Sequence, residues 1–464
     1  MKIKVTKTVL DKAPRKYCRL MITEHAPSIH RLVETKDGQL QYRIGAGKYK
    51  DMTARKFRLF VRSIVQAAKS HQIENLAITV PEFPKLKEFG EEWLYSTIVE
   101  NLLLATYEFT TYKTSKNKHN LKEILICSNL NKKAVEGFKR GEIVAAATNN
   151  ARDIANTPAL DMTPDLLAKA AKKAVAGTKA KIRVLNHTEL KKLKMGALLA
   201  VGQGAQNDPK LIVIEYQGST KKDQPIVLLG KGITYDTGGL NIKPTGAMHE
   251  MHLDMAGGAA VIGAMVAIAK LKLKKNVVAL IPTAENAISD KAMRAGDIVT
   301  SMSGQTIEVT HTDAEGRMVL ADALTYSERY EPKIILDVAT LTGASLVALG
   351  QHTSAIMTKD QKLQEKLIAL GEESGDYMWP LPLWDEYRPY VKSARADISN
   401  ISPSFSKFGG AIEGGIFLSF FAPKKTPWAH IDMAPRMTSV PSDKLAKGAT
   451  GEPVRMLVKF VEQY

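Results

Sequence analysis

The segment Thr312-Asp313-Ala314-Glu315-Gly316-Arg317 sets two carboxylates and a guanidinium at alternate positions. In extended backbone, side chains at that spacing emerge on one side. Two acids and an arginine crowded together interact at a cost. A dication shared by the acids, with an anion held by the arginine, resolves it. The segment reads as a metal site with an anion beside it.

Strand-like and helical runs alternate around this segment. Residues 211–216, 225–230, 276–281 and 333–338 read as strands, the last two as near-continuous apolar runs expected of strands buried on both faces. Residues 255–271 and 317–329 read as helices. The rhythm predicts a mostly parallel sheet flanked by helices. Ligands of such sheets collect at the carboxyl ends of the strands, and four polar clusters fall there. Lys231 and Asp236 follow the strand ending at Gly230, with Lys243 a short loop further on. Asp254 directly precedes the alanine-rich helix, Asp313, Glu315 and Arg317 stand at the next strand-to-helix junction, and Thr340-Leu341-Thr342-Gly343 follows the strand ending near Val338.

Each cluster also has a bland reading. Asp254 could be a helix N-cap, Lys231 a surface lysine and Asp236 a turn residue. Asp313 and Glu315 could be a capping pair. For the site to be an accident, all of these must hold at once.

The segments beginning at Lys231, Asp254 and Thr312 resemble the signatures of the leucyl (cytosol) aminopeptidase family of two-metal peptidases. The likeness runs through Asn156-Thr157-Pro158, the 199–204 and 339–343 segments, Trp428-Ala429-His430-Ile431-Asp432 and Gly448-Ala449-Thr450-Gly451. It covers the chain from about residue 150 onward. The resemblance implies one metal at Lys231, Asp236, Asp254 and Glu315. It implies a second at Asp236, Glu315 and Asp313, the last also through its carbonyl. Zinc and manganese suit such donors. Four carboxylates balance two dications, so Lys231 is expected to be neutral. A bridging water acidified by both metals would supply hydroxide. Lys243 would stabilise the oxyanion, and Arg317 would hold a bicarbonate general base. The free amine of a peptide substrate would bind one metal, which explains removal of N-terminal residues. Met251, Thr340, Gly343, Ala434 and Met437 would line an adaptable apolar pocket for Leu- or Met-like residues. A homo-hexamer is also implied. His252, His311, Met318 and Glu413 depart from the usual family residues; an acid at 413 could favour basic substrates or cap a helix.

Residues 1–145 mix strand-like runs at 76–80 and 123–127 with helical ones at 53–70 and 93–107. A small N-terminal α/β domain is predicted, then a linker helix and turn over 146–165, and a larger catalytic domain over 166–464. The composition, 44% hydrophobic and 24% charged, is that of an ordinary globular protein. Cys18 and Cys127 have no metal-ligand spacing and fit a reducing compartment. The N-terminus lacks the apolar core of a signal peptide, and no uninterrupted run matches a membrane span. The expectation is a cytoplasmic protein with no membrane partner. Of the net charge of +17, residues 1–150 carry +12 (27 basic against 15 acidic). Such a domain could bind nucleic acid, although a solvated lysine-rich surface accounts for the same count.

Overall fold

The computed structural model describes residues 1–28, 30–115, 120–404 and 408–464. The chain divides into two compact units. The first is Met1–Ala146 with Val440–Lys447, and the second is Ala147–Ser439 with Gly448–Tyr464. The segment Val440–Lys447, which a continuous 166–464 domain would include, thus packs with the first unit.

In the first unit, strands β1 (Lys2–Thr6), β2 (Cys18–Thr23), β3 (His30–Glu34), β4 (Leu40–Gly45), β5 (Asn75–Ile78) and β6 (Glu123–Cys127) form a sheet in the order β1-β6-β5-β2-β4-β3. Every pairing is parallel except β3 with β4. Helix α1 (Ala54–Ser70) starts at Thr53, whose hydroxyl accepts from the Lys56 N–H. Its buried Phe57, Phe60, Val61, Ile64, Val65 and Ala68 recur at helical spacing, so one face closes on the sheet. Helix α2 (Gly90–Thr106) supplies Trp93, Ile98 and Leu102 to the same core. Strand β3 is an exposed edge and β1, β2 and β4 are partly exposed, which is why an apolar-run reading finds only β5 and β6. Helix α3 (Lys132–Asn156) runs through residues 146–156 without a break.

The second unit is built on β7 (Lys181–Leu185), β8 (Lys210–Gln217), β9 (Ile226–Gly230), β10 (Gly232–Asp236) and β11 (Asn276–Asn286). It continues through β12 (Ile298–Thr300), β13 (Thr306–Glu308), β14 (Ile334–Ala339), β15 (Ser354–Met357), β16 (Met378–Pro380), β17 (Ile398–Ser399) and β18 (Trp428–Asp432). The main sheet runs β16-β15-β18-β14-β9-β11-β8-β7, with β10 also paired to β11. Its centre, β18-β14-β9-β11, is parallel, and β12, β13 and β17 form a separate small sheet. Helices α4 (Pro164–Val175), α5 (His187–Lys192), α6 (Gly196–Gly202), α7 (Ala256–Leu271), α8 (Glu315–Ser327), α9 (Gly343–Leu349), α10 (Gln361–Ser374), α11 (Gly410–Ser419) and α12 (Val454–Gln463) surround it. The architecture is therefore α/β with two domains and a mostly parallel central sheet in the larger.

Every residue of β9 and β14 is buried, as their unbroken apolar sequences require. Helix α7 buries Ala256 through Ala269, and its small residues let it close on the sheet. A Cβ on Gly257 would stand 2.3 Å from the Val338 carbonyl oxygen. The helical stretch Met251–Leu271 is long and apolar enough to cross a membrane, but most of its length is buried inside the fold. It is the central helix of this core.

Candidate metal centre

Long strand β11 pairs in parallel with β9 over Val277–Leu280 and then with β10 over Thr283–Asn286. Lys231 is the break between these two short strands. Its N–H donates to the Val338 carbonyl and its carbonyl accepts from the Gly258 N–H. Lys231 and Asp236 follow the strand ending at Gly230, as expected, but within a continued strand pairing. The first is a joint between strands and the second ends β10.

Lys231 Nζ stands 2.8 Å from both oxygens of Asp254, 2.8 Å from Glu315 Oε1 and 3.0 Å from the Thr340 carbonyl oxygen, to which it donates. Only Asp254 Oδ1 is in hydrogen-bond alignment; Oδ2 is at ion-pair distance without it. The Thr340 hydroxyl lies 2.8 Å from Asp254 Oδ1 and 3.0 Å from the Asp254 carbonyl oxygen. Asp254 sits in a 3-10 turn, Met251–Met255, and the residue capping α7 is Met255, so Asp254 is not an N-cap. Asp236 Oδ1 accepts from the Gly238 N–H and from Asn286 Nδ2, at 2.9 and 2.8 Å. Lys243 Nζ stands 2.7 Å from Asp236 Oδ2 and 2.6 Å from Asp313 Oδ1.

Oxygen atoms of Asp236, Asp313 and Glu315 lie within 4.8 Å of one another. Glu315 Oε2 is buried without a hydrogen-bond partner. Four carboxylates against two ammonium groups leave a net of −2 when all are ionised, in a place where Lys231, Asp236, Asp254 and Glu315 are buried. Uncompensated charge there is costly. Burial, reinforced by the charges of the neighbouring carboxylates, pushes Asp254, Glu315 and Asp313 above the usual carboxylate range, against the pull of Lys231 and Lys243. Burial works to lower Lys231, yet Asp254, Glu315 and Asp236 outweigh it and hold the ammonium protonated. The neutral lysine expected from the sequence therefore requires cations in place of that proton. Carboxylate oxygens, a spare buried lone pair and a net negative charge together fit divalent metal ions.

Arg317 follows from a corrected geometry. Glu315 opens α8, so Glu315 and Arg317 are helical, and the alternating spacing does not place them on one face of extended chain. Two residues of helix turn the side chain through about 200°, away from the carboxylates and toward α11. There Arg317 Nη1 donates to the Asn400 carbonyl at 2.7 Å. Burial lowers its pKa, opposed by Glu413 first and then Glu315 and Asp432.

Of the expected pocket residues, Thr340 is buried against Asp254, and Met251 is half-buried at the start of the 3-10 turn. Gly343 begins α9 with open space where a Cβ would stand. Ala434 and Met437 are half-buried at the turn after β18. Sequence reasoning missed three supports. Asn286 orients Asp236 and also donates to the Thr312 carbonyl at 3.1 Å. Thr312 bonds the Gly238 carbonyl and the Asn241 N–H, tying the Asp236 turn to the Asp313 segment. Asp432 accepts from the Leu341 and Thr342 N–H groups and braces the Thr340–Gly343 loop. Their position at strand ends was the available signal for Asn286 and Asp432; Asn400 carries none.

Comparison with known proteins places the chain in a family. The catalytic domain of the cytosol aminopeptidase family matches residues 149–458, and the family's N-terminal domain matches residues 35–116. A probable cytosol aminopeptidase of Methylobacillus flagellatus is 41% identical over 425 residues, 90% of this chain and 84% of that protein. One of Nitrosococcus oceani is 41% identical over 426 residues, 90% and 83% of the two chains. The structure of the bottromycin maturation enzyme BotP, 30% identical, superposes with a TM-score of 0.86 over 97% of this chain and 99% of its own, and the same figures hold for its complex with Mn. The chain belongs to the cytosol aminopeptidase family and is a metal-dependent aminopeptidase.

Proposed function

We propose that this protein removes Leu- or Met-like N-terminal residues from peptides at a centre of two divalent ions, zinc or manganese. The observation that carries the reading is the cluster of Asp236, Asp313 and Glu315 within 4.8 Å, with Asp254 joined to it through Lys231. Lys231, Asp236, Asp254 and Glu315 would hold one ion; Asp236, Glu315 and Asp313 with its carbonyl would hold the other. Such a pair supplies Lewis acidity toward the scissile carbonyl, a nucleophilic hydroxide at neutral pH and an anchor for the free amine.

The chain's own groups do the rest. Lys243, held by Asp236 and Asp313, is 13% exposed at the side chain, so its charge faces the cluster from a largely desolvated position. There it can neutralise negative charge developing on the carbonyl oxygen. Burial lowers its pKa, but Asp236, Glu315 and Asp313 outweigh it, so it remains a cation. Asp432 fixes the loop that carries Thr340 and Gly343, and Gly343 leaves room for a substrate side chain beside Met251, Ala434 and Met437. We extend the proposal to a cytoplasmic homo-hexamer, the assembly that the family resemblance implies.

The test is hydrolysis of leucine amide by the purified protein. A chelator should abolish turnover and zinc or manganese restore it. Hydrolysis of blocked, N-acetylated substrates at the same rate would overturn the role of the free amine.

A further inference from the structure

Asn286 ends β11 opposite Asp236 in the parallel register and is buried. Its Nδ2 carries two hydrogens and spends both, one on Asp236 Oδ1 at 2.8 Å and one on the Thr312 carbonyl at 3.1 Å. Two acceptors facing the amide fix which of its ends is the nitrogen. The Asn286 backbone carbonyl accepts from the N–H and the hydroxyl of Thr237, at 3.0 and 2.9 Å. Thr312 completes the tie, its hydroxyl donating to the Gly238 carbonyl and accepting from the Asn241 N–H. A Cβ on Gly239 would stand 2.9 Å from both Asn286 Oδ1 and Thr312 Oγ1, so the turn after Asp236 closes tightly on both side chains.

The Thr312 carbonyl belongs to the same peptide plane as the Asp313 N–H. One side-chain amide therefore sets both the Asp236 carboxylate and the backbone entering Asp313. The donors particular to the first ion are braced elsewhere. Lys231 donates to the Thr340 carbonyl, and the Thr340 hydroxyl bonds the carboxylate and the carbonyl of Asp254. Among the described residues Asn286 makes no hydrogen bond to Lys231 or Asp254. It thus supports two of the three residues assigned to the second ion, and one of the four assigned to the first.

We infer that Asn286 is a positioning residue for the second ion, holding Asp236 and the Asp313 segment in one frame, while Thr340 separately braces the donors of the first. The inference rests on the two-ion reading given above. A lost support of a ligating group costs about 10–100-fold in metal affinity, and here that cost falls on one ion of the pair.

The experiment loads the purified full chain with manganese and counts bound ions by equilibrium dialysis. Electron paramagnetic resonance distinguishes a spin-coupled pair from an isolated ion. The wild type should take up two ions and give the coupled spectrum. Asn286→Ala keeps the backbone bonds to Thr237. It should bind one ion within about threefold of the wild-type affinity and the other about 10–100-fold more weakly, with the isolated-ion spectrum at limiting metal. Thr340→Val should likewise weaken one ion, and the double variant both, since the two changes act on different ions. A merely structural loss would weaken both ions alike in Asn286→Ala. That result, an unchanged pair, or a double variant that still holds one ion tightly overturns the inference. Should Asn286→Ala fail to unfold cooperatively, Thr312→Val, which breaks the same tie at its other end, should release the same single ion. A wild type that binds only one ion refutes the two-ion reading itself, and the inference with it.

Discussion

Gly316 and Lys231 compete for one space: a Cβ on Gly316 would stand 2.4 Å from Lys231 Cε and 2.6 Å from its Nζ. In the first turn of α8, alanine is worth at most about 1 kcal/mol over glycine. Displacing Lys231 from Asp254 and Glu315 costs more, on the order of 3–5 kcal/mol for a broken buried pair. Gly316→Ala is therefore expected to lower stability, metal content and leucine amide turnover together. Metal analysis and thermal unfolding check it; a variant with full metal and full turnover refutes the competition.

Metal should stabilise the wild type by mass action, about 2.7 kcal/mol at a concentration one hundred times the dissociation constant. In Glu315→Ala or Asp313→Ala, that rise in melting temperature should vanish along with turnover. The metal-free fold should persist, since removing an acid from a net negative cluster relieves repulsion. Equal metal-induced shifts in wild type and variants would count against these ligands.

A separate titration belongs to Asp322 in α8. Its carboxylate accepts from the Leu198 and Met302 N–H groups, at 2.9 and 2.8 Å, yet burial outweighs those bonds and raises it to about 7. The folded chain then holds a proton that the unfolded chain releases near the ordinary value of 3.8. Stability from this group is present at low pH and is lost as pH rises from about 4 to about 7. Asp322→Asn should flatten that portion of the stability profile and lower stability at pH 5 by about 1–3 kcal/mol through the mismatched acceptor. Denaturant unfolding at several pH values measures both. An unchanged slope would show that Asp322 is not the titrating group.

Substrate preference should follow pocket volume. Ala434→Leu is expected to cut kcat/KM for leucine amide relative to alanine amide by about 10–200-fold, the span of a methylene-scale misfit. A panel of aminoacyl amides reads this directly. A uniform loss across the panel would mean that Ala434 does not line the side-chain pocket.

The parts of the fold legible in the sequence were those with a single environment. Strands β9 and β14 are apolar throughout because both faces are covered, and α7 announces itself by its unbroken small and apolar residues. Strand β3 offers five exposed residues and β1 no fully buried one, so neither has a hydrophobic signature. At the site, the identities of Lys231, Asp236, Asp254, Asp313 and Glu315 drew attention because ionisable groups at strand ends are costly unless used. Their geometry was less visible. Whether Glu315 and Arg317 are extended or helical depends on where α8 begins, which local residue types do not specify. Asn400 reaches Arg317 with a backbone carbonyl, an atom every residue possesses, so nothing in its side chain betrays the contact.

Strand β11 has a mechanical consequence. Since β9 and β10 are both hydrogen-bonded to one continuous neighbour, Lys231 and Asp236 are carried on a common splint with Asn286 at its tip. Thermal displacement of the sheet moves these groups as a body, and their mutual separations change far less than their positions. One added residue at the Lys231 joint would turn every β10 side chain to the opposite face.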